Sequence, residues 1–142
     1  MDYISGGEQP GYVVDDQGVR GGLKGERFVI LGDLNASPVE GDAFPAAIRS
    51  LVAHPKVNDD APPTSAAGAA AAPGNVHARE HTASWGLRAD YVLPSRAGWS
   101  VVDSGVYWPR PGDPGSALVE TRAASSDHRL VWVDLVLESL SD

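Results

Sequence analysis

Phe28-Val29-Ile30-Leu31-Gly32-Asp33-Leu34-Asn35 is the stretch on which the reading of this chain turns. Its first four residues are a continuous apolar run of strand formers that stops at Gly32-Asp33, which predicts a strand buried on both faces. Asp33 and Asn35 then stand at that strand's carboxyl end. Just beyond, Asp42 is placed to cap a helix, Pro45 falls in its first turn, and Phe44, Ile48, Leu51 and Val52 recur at helical spacing until His54-Pro55. Such a helix has one apolar stripe to lay on a sheet.

Farther out the signals thin. Residues 5 to 27 are rich in glycine and charge, and only Tyr12-Val13-Val14 offers a short strand. Residues 61 to 75 have no charge and no large apolar group, so they cannot bury enough area to offset their conformational entropy; the span 61–86 reads as a mobile Ala/Pro/Gly-rich insertion. Strands follow at Tyr91-Val92-Leu93, ended by Pro94, and as one strand region through 99–103 and 105–108, ended by Pro109. In Leu130 to Leu137, positions 131, 133, 135 and 137 form an apolar face, while the alternate positions include Asp134. No internal repeat is visible.

The chain of 142 residues has room for one modest domain. Leu, Ile, Val and Phe make up 32 of those residues, enough for a thin core despite a net charge of −8. With no cysteine there is no disulfide, thiolate metal site or cysteine nucleophile, so any nucleophile is an oxygen or an activated water. Acidity and the lack of any Lys/Arg run argue against stable binding of duplex nucleic acid. No stretch reaches the ~18 apolar residues of a membrane span, and Met1 to Gly7 lack the basic and apolar regions of an export signal.

Three polar clusters border predicted strands: Gly32-Asp33-Leu34-Asn35, Arg88-Ala89-Asp90-Tyr91 and Ser125-Ser126-Asp127-His128. Each alone reads as an ordinary turn, with Asp90 paired to Arg88. Together they hold what phosphoryl transfer requires. Asp33 is a carboxylate base or hard oxygen ligand, Asn35 a neutral donor to a phosphoryl oxygen, and His128 a charge-stabilising donor oriented by Asp90. Other candidates are weaker. His77-Ala78-Arg79-Glu80-His81 fits the zinc pattern H-x-x-E-H, but it has no apolar helical stripe and no evident third ligand, so it reads as a polar loop. Asp15-Asp16 reads as a solvated turn, and Arg110, Arg122 and Arg129 are candidate anion contacts, the first two better read as surface solubility.

The same three blocks resemble those of the endonuclease/exonuclease/phosphatase superfamily of metal-dependent phosphoesterases. FVILGDLNASP at 28–38 is similar to its Gly-Asp-x-Asn block, RADYVLPS at 88–95 to its Asp-Tyr strand, and SSDHRLVWVDL at 125–135 to its closing Ser-Asp-His strand. The nearest pattern is that of bacterial secreted phosphatase-like or phytase-like members, where an acidic Gly-Asp segment follows, here Pro38 to Asp42. The resemblance implies that Asp33 deprotonates the attacking water, Asn35 holds the phosphate, and Asp90 pairs with one ring nitrogen of His128. Asp127, with Asp33, would bind a divalent cation, Mg2+ or Mn2+ with Ca2+ as a further candidate. Ala89 stands where the family usually has a larger aliphatic residue.

The family fold is an α/β (α+β) four-layer sandwich. Its amino-terminal half carries an asparagine and a metal-binding glutamate that neither Glu8 nor Glu26 matches, since neither ends an apolar strand. The chain is therefore expected to be about half of that domain, the carboxyl-terminal half, as a single unit over 1–142. It would hydrolyse a small or exposed phosphodiester or phosphomonoester with impaired turnover when alone. The alternative is a non-catalytic remnant that assembles with a missing amino-terminal half or as a homodimer. The relatives so implied look exported, which leaves this chain's compartment unassigned.

Overall fold

The computed structural model describes residues 1–7 and 10–139, so Glu8 lies outside the described residues. Its elements are α1 (Asp2–Ser5), β1 (Val29–Asp33), α2 (Pro45–Val52), α3 (Ala66–Ala71), β2 (Asp90–Pro94), β3 (Trp99–Tyr107) and β4 (Leu130–Leu137), with single 3-10 turns at Ala78–Glu80 and Ser116–Leu118. The architecture is α+β, and the strands form two antiparallel pairs, β1 with β2 and β3 with β4. Among the described residues, no helix is long and apolar enough to cross a membrane.

The β1–β2 register places Ile30 opposite Leu93 and Gly32 opposite Tyr91, and side chains two apart share a face. On that face α2 supplies Ile48, with Leu51 and Val52 three and four residues on, and the core closes around Ile48, Val57, Tyr91 and Leu93. Pro45 opens α2, where its missing N–H has no partner to lose. Two expectations about the helix start need correction. The capping position is Phe44, without a side-chain cap, rather than Asp42, and Phe44 is exposed because it precedes the first turn.

The opposite face of β1–β2 carries Leu31 and Asp33 from one strand and Val92 and Asp90 from the other. This corrects the expectation of a strand buried on both faces: Leu31 is 68% exposed, because only the Ile30 face is covered by α2. The alanine-rich stretch also departs from an irregular loop. Residues 66–71 form α3, whose Gly68 N–H is capped by the Ser65 hydroxyl at 2.9 Å, and Ala67, Gly68 and Ala78 are buried. Small side chains let this segment pack closely without a large apolar anchor.

The strand region expected at 99–108 is one strand, β3, whose register against β4 shifts between Val101 and Asp103. Gly105 lies under Trp132, where a Cβ would come within 2.9 Å of the indole. On β4 the expected alternation holds for Val131, Val133 and Leu135, which are half-covered, whereas Leu137 at the strand's end is exposed. Tyr12-Val13-Val14 contributes only an isolated bridge from Val14 to Arg20.

Candidate active site

The strand register sets Asp33 directly across from Asp90 on the face away from α2. Two like charges in that cross-strand position repel, so the pair needs a compensating cation or proton. His128 supplies it. Its Nδ1 lies 2.9 and 3.1 Å from the two carboxylate oxygens of Asp90, and its Nε2 is 3.8 Å from Asp33 Oδ2. The hydrogen bond to Asp90 is the largest cause that lifts the imidazole above its ordinary value of 6.5; partial burial opposes it, and the charges of Asp90, Asp33 and Asp127 add to it. The arrangement therefore favours the imidazolium, set between two carboxylates, more than water does.

Each member is held by its local chain. Asn35 adopts a left-handed φ of 45°, which asparagine tolerates better than most residues. This folds its backbone N–H onto Asp33 Oδ1 at 2.8 Å and its carboxamide onto Oδ2 at 2.9 Å. Asp33 keeps an exposed carboxylate, and Asn35 retains a second amide hydrogen for another acceptor. Asp90 is more enclosed. The buried Thr82 hydroxyl accepts the N–H groups of Ala89 and Asp90 at 2.9 and 3.0 Å and donates its only proton to Asp90 Oδ2 at 2.7 Å. That leaves the hydroxyl proton one direction to point, which pins the carboxylate that orients His128.

His128 is fixed from its own side as well. Its backbone N–H is held by the Ser126 hydroxyl, Ala83 bridges to it, and its ring meets Trp85 in an edge contact with centroids 5.0 Å apart. Thus three segments far apart in the chain bring together Asp33 with Asn35, Asp90, and His128. Asp33, Asp90 and His128 each offer a metal-ligand atom within 4.8 Å of the others. Asp127 does not join that group; its carboxylate pairs with Arg122 at 3.3 Å and its carbonyl accepts the Ser84 N–H. Mg2+ is bound through one or two carboxylates beside water and substrate oxygens, so the more exposed Asp33 fits such an ion better than the enclosed Asp90.

Several expected partners resolve differently. Arg88 is buried and bonds both oxygens of Asp59, at 2.9 and 2.5 Å, rather than Asp90, and lies over the Tyr91 ring. Arg129 is buried over Trp108, donating to the carbonyls of Ser126 and Val119, so it is structural. Arg110 is exposed, its backbone N–H bonded to Asp113. Asp15 closes a turn onto the N–H groups of Gln17 and Val19, as a solvated turn should, and Glu26 pairs with Lys56.

The H-x-x-E-H segment carries no metal-ligand group among the described residues. Instead buried His81 pairs through Nε2 with Glu40 at 2.9 Å, and Asn75 donates to the other Glu40 oxygen at 2.7 Å. Partial burial pushes the Glu40 carboxyl up, but these two hydrogen bonds and the neighbouring His81 and His77 rings outweigh it and hold it below its ordinary value. Sequence reasoning did not single out Thr82 or the Glu40–His81 pair. A lone hydroxyl and a pair 41 residues apart leave no local pattern to read.

A model of the Endonuclease/Exonuclease/phosphatase family matches residues 3–128, a span that holds Asp33, Asn35, Asp90, Asp127 and His128. No curated protein and no solved structure matches the chain.

Proposed function

The chain belongs to the endonuclease/exonuclease/phosphatase family, whose members generally hydrolyse phosphate esters with a divalent metal, and on that premise we propose that it hydrolyses a small or exposed phosphate ester. The observation that supports this reading most directly is the imidazole set between two opposed carboxylates. Asp33 would accept the proton of a water aimed at phosphorus. As the new P–O bond forms and the ester P–O bond breaks opposite it, negative charge grows on the phosphoryl oxygens. His128, held as imidazolium by Asp90, stabilises that charge through Nε2, and the remaining Asn35 amide hydrogen binds a non-bridging oxygen.

Asp33 would hold Mg2+ or Mn2+, or alternatively Ca2+, without Asp127, which stands apart paired with Arg122. Such an ion supplies charge neutralisation on the phosphoryl oxygens and a lowered water pKa. The test is release of p-nitrophenol from bis(p-nitrophenyl) phosphate with each metal, for the wild type, Asp33→Ala and His128→Ala. Metal-dependent release lost in both variants is expected; release no faster than metal alone, or equal in all three proteins, overturns the reading.

A second reading, in which this unit is about half of a sandwich and acts with a partner chain or a second copy, is favoured by its exposed apolar surface. Leu31, Phe44, Val102 and Leu130 are each at least 65% exposed. Native mass measurement addresses it: a monomer that unfolds cooperatively argues against a required partner.

A further inference from the structure

A single exposed apolar side chain is ordinary, so the exposure of Trp85, 52%, has no meaning by itself. Its setting does. Trp85 sits on a turn closed by the Gly86 N–H to the Ala83 carbonyl at 3.0 Å, with Thr82 and Ala83 N–H groups both on the Leu87 carbonyl. The same turn is tied to the His128 segment by the Ser84 N–H on the Asp127 carbonyl at 2.8 Å and the Arg129 N–H on the Thr82 carbonyl at 2.7 Å. The indole rises from a restrained backbone, meets the His128 ring in an edge contact, and leaves half its surface open at the edge of the reacting groups.

The charged side chains nearby are already engaged. Arg88 is held by Asp59, Arg129 by backbone carbonyls and Trp108, and Arg122 by Asp127. These three leave no ready cation for the organic part of an ester, and the net charge of −8 disfavours an extended polyanion. Flat apolar surface is what the rim offers instead.

We propose that Trp85 is a stacking platform for an aromatic group carried next to the phosphorus, so that the substrate class is an aromatic phosphate ester. This rests on the phosphoesterase reading above and narrows it. An aromatic partner gains an offset-stacked or edge contact beyond its area burial, whereas an alkyl group of similar charge gains neither.

Phenylphosphonate and methylphosphonate, which carry no ester bond to hydrolyse, separate the two readings. Binding of each to the full chain with magnesium is measured by calorimetry for the wild type, Trp85→Ala and Trp85→Phe. The expected phenyl-to-methyl affinity ratio is about three- to tenfold in the wild type, is retained in Trp85→Phe, and falls toward one in Trp85→Ala. Because loss of Trp85 also removes a neighbour of His128, indole quenching by phenylphosphonate is compared between the wild type and Trp85→Phe as a second readout. A wild-type ratio near one, a ratio unchanged in Trp85→Ala, or quenching that persists in full without Trp85 overturns the platform, even if ester hydrolysis stands. Binding of neither probe together with no ester hydrolysis overturns both.

Discussion

Replacing Thr82 by valine keeps the side chain's shape and deletes three hydrogen bonds at once. The donor bond to Asp90 Oδ2 is charge-assisted and worth about 1.5–3 kcal/mol net. The N–H groups of Ala89 and Asp90 also lose their acceptor at a position where Thr82 and Ala89 are buried, and each deserted donor costs about 1–3 kcal/mol. Neighbouring losses overlap rather than add, so the expected destabilisation is about 3–5 kcal/mol. With an unfolding entropy of about 0.3 kcal/mol per kelvin for a chain of 142 residues, that is a fall in Tm of about 10–17 °C. The assay is urea unfolding followed by circular dichroism, with a thermal scan beside it. Thr82→Ser, which keeps the hydroxyl, stays within about 1 kcal/mol of wild type. A Thr82→Val protein within about 0.5 kcal/mol of wild type would refute the claim that this hydroxyl organises the site.

Asp90→Asn removes the main cause of the raised His128 pKa, so a proton NMR titration of the imidazole should show a lower midpoint than in the wild type. In the wild type the stability from the protonated His128–Asp90 pair is present in full below about 6.5 and is lost as pH rises through the raised value, so unfolding midpoints should fall over that window and flatten in Asp90→Asn. Arg88→Met leaves Asp59 as a largely buried, unpaired charge and is expected to cost about 3–5 kcal/mol by urea unfolding, whereas Arg96→Met, at an exposed pair with Asp60, should leave the urea midpoint nearly unchanged. Gly68→Ala should destabilise although alanine favours helix by about 1 kcal/mol, because its Cβ would lie 2.7 Å from the capping Ser65 oxygen and 2.8 Å from the Ala78 carbonyl; a raised Tm would contradict this.

What could be read in advance follows from how local each signal is. The α2 stripe of Ile48, Leu51 and Val52 and the alternation of β4 are written in adjacent residues, and the structure has both. The strand at Val29–Asp33 was legible as a strand, but the exposure of Leu31 was not, since it depends on what lies against the second face. Asp33, Asn35, Asp90 and His128 were legible because each sits in a short motif at a strand end, and pairing of β1 with β2 brings two of the motifs opposite each other. Their supports were not. The choice of Asp59 rather than Asp90 by Arg88 depends on tertiary distance, and α3 was set aside because so short an alanine run is marginal as a helix until it packs. Thr82 is one hydroxyl among several; its three bonds exist only once the 82–90 segment has turned back on itself.

The double clasp between Asp33 and Asn35 has an evolutionary corollary. Since the carboxylate accepts both the backbone and the carboxamide hydrogens of its neighbour, the two residues behave as one rigid part, and replacing either disturbs the aim of the other. Their substitutions should show strong epistasis, the double replacement costing scarcely more than the worse single one. A lineage drifting away from this chemistry would then meet its steepest step at the first change and find the second nearly neutral.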